Sequence, residues 1–328
     1  MTNRVRFHLQ TVVAVIAVAS ISLFAAAGAS GATVVNGDFE TGTLSGWQVS
    51  NAPPPPETSG SWFAYSGTMA PVEFAPEVPP PPAGQYAAIT SQGSSGTHIL
   101  YQDIVLEPYY THQLSMLVYY RSAAPLATPS PETLNAQVPE ANQQYRIDVM
   151  KPTAPIESVD PGDILATVFA TKTGDPEELG PTPLTVDLTP FAGQAVRLRF
   201  AEVDNRFYFA AGTDSVSIQS APPLNTFSFG KPILNKKKGT AKLPVTVPGA
   251  GTLTIADVKK TKKRIKAKTV AATAAGTLNL PVKPTKSARK TLANKGKLKL
   301  KVAVTFTPTG GFAATVTRKL TLKLAPTK

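Results

Sequence analysis

The sequence predicts an all-β protein, a large antiparallel sandwich followed by a smaller one. Three observations predict it. Apolar and polar residues alternate with period two in run after run, as where Leu114, Met116, Val118 and Tyr120 oppose Ser115, Leu117, Tyr119 and Arg121. Turn-forming Gly, Pro and Asn punctuate those runs, and only one short stretch, 286–295, carries a helical signature ended by Gly296. Charge then divides the chain. Residues 33–224 hold 7 Lys plus Arg against 20 Asp plus Glu, whereas 225–328 hold 24 against 1. The net charge of +12 averages two opposite objects.

Residues 1–32 read as a secretory signal peptide. Arg4 and Arg6 give a positive start, 11–24 is apolar, and Ala27-Gly28-Ala29 or Ser30-Gly31-Ala32 supplies the small residues that cleavage requires. That apolar run is shorter than the ~20 residues of a spanning helix, and no second one follows, so the mature chain is expected to lack a transmembrane segment. The expected location is secreted and extracellular, in association with a cell wall. The chain has no Cys, which excludes disulfides, thiolate zinc sites and cysteine nucleophiles. An exported chain without disulfides relies on core size or on bound metal.

Within 33–220, strands are expected at 86–90, 99–106, 113–121, 144–150, 164–170, 184–188, 195–203 and 214–219. Proline-rich runs at 53–56, 71–82 and 125–139 cannot donate to a ladder and read as surface insertions, some of which would rim a cleft. The opening stretch runs Asn36-Gly37-Asp38-Phe39-Glu40-Thr41-Gly42 and continues to Gly46-Trp47. Gly42 and Gly46 permit turns that return Phe39 and Trp47 to one interior, and on a strand Asp38 and Glu40 would point away from Phe39.

This opening, together with Gly212-Thr213-Asp214-Ser215-Val216-Ser217-Ile218, resembles secreted jelly-roll modules of the galactose-binding-domain-like fold, which include many carbohydrate-binding modules. The resemblance implies first and last strands lying side by side. It also implies a structural Ca²⁺ held by Glu40 and Asp214, with Asp38 a third candidate; hard oxygens suit that ion. Ala83-Gly84-Gln85-Tyr86-Ala87-Ala88 and His98-Ile99-Leu100-Tyr101-Gln102-Asp103 extend the likeness to a group of secreted bacterial proteins. Sugar binding needs aromatic faces and planar hydrogen-bonding forks, and the candidates are Trp62, Tyr119, Arg121 and Arg199, with Trp47 assigned to the core.

No catalytic residue is assigned. After residue 32 the only histidines are His98 and His112, and nucleophile elbow, zinc-protease helix, P-loop and dinucleotide fingerprint are all missing. Paired carboxylates leave a glycoside hydrolase as an alternative. Glu202 and Asp204, near a turn-forming Asn where acids ordinarily solvate loops, are the first to test. A structural surface protein without a small ligand is the other alternative.

A linker at 221–226 leads into 227–328, a basic segment with short strands at 241–247, 251–256, 266–271 and 276–282. Leu298, Leu300, Val302, Val304 and Phe306 then alternate with Lys297, Lys299, Lys301, Ala303 and Thr305, and Thr307-Pro308-Thr309-Gly310-Gly311 turns the chain into 312–324. The order suits an immunoglobulin-like sandwich and resembles Lys-rich C-terminal domains of secreted bacterial proteins. Such a field attracts polyanions, with strong salt dependence. Its cations are almost all Lys, which lacks the bidentate fork of base reading, so sequence-specific nucleic-acid binding is not expected. The sequence therefore points to a non-catalytic protein that binds carbohydrate or a cell-wall polymer through its first half and is retained by its second.

Overall fold

The computed structural model describes residues 32–53, 60–73 and 75–326. The expected signal peptide, but for Ala32, and most of the first proline run lie outside them. Ten strands build the larger sandwich: β1 (Gln48–Ala52), β2 (Ser61–Tyr65), β3 (Ala87–Ser91), β4 (Gly96–Val105), β5 (Thr111–Ser122), β6 (Gln143–Met150), β7 (Ile164–Ala170), β8 (Glu178–Asp187), β9 (Ala195–Asp204) and β10 (Phe209–Ala221). They form two five-stranded antiparallel sheets, ordered β1-β4-β9-β6-β7 and β2-β3-β10-β5-β8. The all-β expectation holds.

Between the sheets lies an aromatic core. Trp47 stacks on Phe39 at 5.6 Å and meets Phe200 edge-on at 5.6 Å, while Trp62 meets Phe200 at 6.2 Å and Tyr145 at 6.2 Å. Edge-on rings set the positive rim of one against the negative face of the next, which adds to the area they bury. Trp47 is buried, as expected.

Two further apolar clusters lie on the outer faces of the sheets, and the proline-rich insertions help to build them. Val78 joins Tyr65, Ile89 and Tyr119 on one sheet. Leu134 and Ala136, with Ile156 and Val159, cover Ile99, Ala201 and Val203 on the other. An insertion too stiff to pair in a sheet can still lie across one and exclude water from it. These insertions are lids over the sheets as well as surface segments. Under the second lid the Asp148 carboxylate, fully buried, accepts from Arg146 Nε at 2.7 Å and from Arg199 Nη2 at 2.6 Å. Arg199 Nη1 also donates to the carbonyls of Ile156 and Ser158.

The opening stretch departs from expectation. Residues 35–38 form turns instead of a strand, with Asn36 at φ 51° and Phe39 at φ 55°. The left-handed region bends the chain sharply enough to drive Phe39 inward. Gly37 sits where a Cβ would lie 1.9 Å from the Val216 carbonyl oxygen, so only glycine fits. The first strand, β1, pairs with β4 in the opposite sheet, so the first and last strands are not hydrogen-bonded neighbours. Contact with the last strand comes from the turns instead, through Val216 N donating to Gly37 O at 2.8 Å. β8 extends well before 184 and passes through Pro181 and Pro183, which an edge strand tolerates.

The remaining strands among the described residues are β11 (Ser228–Phe229), β12 (Ile233–Asn235), β13 (Thr240–Val247), β14 (Gly251–Asp257), β15 (Lys268–Ala272), β16 (Gly276–Val282), β17 (Lys297–Pro308) and β18 (Ala314–Lys323), accompanied by the helix α1 (Lys286–Lys295). One antiparallel sheet sets β11 and β12 against β13 and pairs β13 with β16; the other runs β15-β14-β17-β18. Leu298, Leu300, Val302, Val304 and Phe306 are buried and Lys297, Lys299 and Lys301 exposed, as the alternation requires. Thr285 caps α1 by accepting from Ala288 N, and Gly296 ends it at φ 63°. The described residues form one compact unit whose two largest apolar clusters are the cores of the two sandwiches.

Candidate functional site

The sequence-derived ligand candidates are scattered, and three of them are interior. Trp62 is 2% exposed and donates its indole N–H to His98 O at 2.9 Å. Tyr119 is fully buried, its hydroxyl 2.8 Å from that of Tyr65, and a Cβ on Gly212 would strike its ring. Arg199 is buried on Asp148. None of these three offers a face to a ligand, because lids and the opposing sheet cover the faces that alternation alone leaves open. Arg121 is exposed and paired with Glu178 at 3.3 Å.

The carboxylates of the opening and closing motifs converge on one loop. Glu40 Oε1 accepts from Gln85 N at 2.8 Å and Tyr86 N at 3.0 Å, while Asp214 Oδ2 accepts from Ala83 N at 3.1 Å. Both therefore grip one loop, 83–86. Burial raises Asp214 to about 6 against the relief its amide bonds give, and the charge of Glu40 adds to the rise. Asp38 accepts from Glu40 N at 3.4 Å within the turn. These hard oxygens fit Ca²⁺ in kind. The loop amides already engage Glu40 and Asp214, and among the described residues no buried polar atom is left over there.

A different place combines open space with polar chemistry. The β9–β10 turn, the β3–β4 turn and the residues Glu73, Ala75 and Pro76 enclose a cleft of about 530 Å³, lined among others by Gln92, Asp204, Arg206, Phe207 and Tyr208. Phe207 is 67% exposed. Its hairpin is pinned from beneath: Asn205 Nδ2 donates to Val138 O at 3.0 Å and Glu140 O at 2.8 Å, and Gln143 Nε2 donates to Phe207 O at 2.8 Å.

With Gln92 and Asp204 in its lining, the cleft adjoins a buried cluster of His98, Glu202 and Asp204 whose ligand atoms all lie within 4.8 Å of one another. His98 stands on β4 directly opposite Glu202 on β9, which the register fixes. Burial lowers His98 to about 4. It drives Glu202 far above the usual carboxylate range, and the nearby Asp204 adds to this. Asp204 itself is raised by burial to about 7, with Gly96 N and the Gln92 side chain opposing the rise. The expectation that Glu202 and Asp204 solvate a turn therefore fails. They sit on β9, whose second half is buried throughout. His98 and Glu202 could have been paired from sequence only by knowing the β4–β9 register.

No protein-family model matches the chain, and no curated protein matches it. Among solved structures, the K3 cleaved adhesin domain of Lys-gingipain from Porphyromonas gingivalis w83 is similar over 57% of this chain and 98% of its own, at 14% identity and a TM-score of 0.35. TmCBM61, solved in complex with β-1,4-galactotriose, is similar over 57% of this chain and 96% of its own, at 12% identity and a TM-score of 0.34. The Spr0440 glycoside hydrolase domain, Endo-D, from Streptococcus pneumoniae R6 is similar over 84% of this chain and 37% of its own, at 13% identity and a TM-score of 0.25.

Proposed function

We propose that this protein is a secreted, non-catalytic binding protein whose larger sandwich takes a carbohydrate in the cleft at the β9–β10 turn. Phe207 carries the reading. An aromatic ring held outward by a pinned hairpin, above a floor of amide and carboxylate, matches a ligand with an apolar ring face and many hydroxyls. Because Asn205 and Gln143 fix the hairpin in advance, little ordering cost falls on binding. A glycan array spanning plant, wall and host sugars tests this. Binding to a subset is expected, weakened fivefold or more by Phe207→Ala, as truncation of a central anchor costs over ~1 kcal/mol. Silence across the array would favour a purely structural surface protein, and release of reducing ends would favour a glycoside hydrolase.

In the same reading the smaller sandwich, taken as immunoglobulin-like, retains the protein on anionic wall polymers. What supports this is the register of β17 and β18, which sets Lys297 opposite Lys323 and Lys301 opposite Lys319. Opposed like charges are unfavourable unless an anion relieves them. Retention is expected to vanish near 1 M salt, where charges are screened beyond ~3 Å; retention unchanged at that salt would sink the idea. A structural Ca²⁺ at Glu40 and Asp214 would tie the opening turns to β10 through loop 83–86. A melting temperature raised by several degrees in millimolar CaCl₂, and not raised in Glu40→Gln, is the expected sign.

A further inference from the structure

The buried cluster beside the cleft leaves three acceptor atoms without a donor. Asn51 Nδ2 donates to Ser61 Oγ at 3.3 Å, so its Oδ1 is the atom turned to the imidazole, 2.9 Å from His98 Nδ1. Nδ1 therefore carries the proton, and Nε2 presents a bare lone pair. The amide hydrogens of Gln92 are engaged by Phe209 O at 2.6 Å and Glu202 Oε1 at 3.5 Å, which leaves Gln92 Oε1 as an acceptor. Gln92 Oε1, His98 Nε2 and Glu202 Oε2 are all buried without a hydrogen-bond partner. His98 and Glu202 are fully buried and Gln92 is 3% exposed. A Cβ on Gly60 would lie 2.3 Å from His98 Nε2, so only glycine fits against the imidazole there.

Unsatisfied buried acceptors are unfavourable one by one, and a proton held on Glu202 could serve only one neighbour. A cation satisfies all of them at once. The Asn51–His98 bond is also the kind of outer contact that fixes the tautomer and orientation of a ligating imidazole. An imidazole nitrogen beside carboxylates suits a transition metal better than Ca²⁺ or Mg²⁺, which favour oxygen-only sets.

We propose that His98 Nε2 and the Glu202 and Asp204 carboxylates, with Gln92 Oε1 as a fourth donor, bind one divalent transition-metal ion of the zinc class beside the cleft floor. The site does not depend on what the cleft binds. It is distinct from the Glu40–Asp214 pair, which presents no imidazole.

Titration of the chelator-treated protein with ZnCl₂ and with CoCl₂, against CaCl₂ and MgCl₂, tests it. One equivalent of Zn²⁺ or Co²⁺ is expected to bind, with visible Co²⁺ absorption and a melting temperature several degrees higher when free metal exceeds Kd about a hundredfold. The His98 imidazole resonances are expected to shift and those of His112 to stay, since the His112 nitrogens already face Ser220 Oγ at 2.8 Å and Glu107 O at 2.9 Å. Glu202→Gln, which keeps the packing and removes the charge, is expected to weaken uptake tenfold or more, while Phe207→Ala leaves uptake unchanged. Absence of stoichiometric Zn²⁺ and Co²⁺ binding, shifts at His112 in place of His98, or full uptake by Glu202→Gln would each overturn the proposal. Should Glu202→Gln fail to fold, the imidazole resonances of the unaltered protein decide the matter.

Discussion

Asp148→Ala is expected to destabilise the larger sandwich by about 3–5 kcal/mol, the range for breaking a buried ion pair. The carboxylate is completely buried, and two guanidinium groups depend on it: Arg199, also completely buried, and Arg146, 6% exposed. Burial already pulls the pKa of Arg199 below the ordinary arginine value, with Asp148 working against it. Without the carboxylate, two cations would face a dry interior with only Glu132 and two carbonyls as partners. A domain of ordinary stability has 5–15 kcal/mol in hand, so the variant should melt far below the unaltered protein or fail to fold. The double change Asp148→Leu with Arg199→Met should cost less than Asp148→Ala alone, because it removes a charge along with its partner. Thermal melts by circular dichroism measure both. A loss under about 1 kcal/mol for Asp148→Ala would mean that water reaches Arg199.

Phe200→Ala should cost a similar amount, about 3–5 kcal/mol, for a different reason. The ring fills the space between Trp47 and Trp62 and touches both edge-on. Its loss opens a cavity where the two rigid indoles cannot collapse inward, and the cost rises with the volume left empty. For a sandwich of this size the melting temperature should fall on the order of 10 °C. Trp47 and Trp62 are the chain's only tryptophans, so the emission maximum reports directly on the site. Phe312→Ala, at a ring 45% exposed, serves as the control and should stay within ~0.5 kcal/mol. Equal melting of the two variants would mean that Phe200 is not central.

How much of this was legible depended on whether a strand kept one wet face. On β17, Leu298 to Phe306 alternate with lysines because only one side is covered, and the sequence stated that pattern openly. β9 looks similar on paper, with Val196, Leu198 and Phe200 opposing Arg197 and Arg199. The two arginines nevertheless differ: Arg197 keeps 12% of its side chain exposed beside Asp103 at 2.7 Å, while Arg199 vanishes under the segments that carry Leu134, Ala136, Ile156 and Val159. Alternation records how a strand meets its own sheet and carries nothing about a segment arriving from elsewhere in the chain. Trp62 faces the opposing sheet and Tyr119 the segment that carries Val78, and neither partner is written into its own strand, while Glu202 lies on the buried half of β9. The opening turns escaped because an aromatic at positive φ has no compositional signal. Glu40 and Asp214 come to one loop, 83–86, and not to paired strands.

The outermost strands have one more consequence. β8 ends its sheet with Pro181 and Pro183, and β18 ends its own with Arg318, Lys319 and Lys323. A bare ladder of amides and carbonyls invites a second copy to dock and extend the sheet without limit. Proline removes the donors from one such rim, and repulsion between cations holds copies apart at the other. Fibre formation is thereby discouraged at these two borders by two unrelated means.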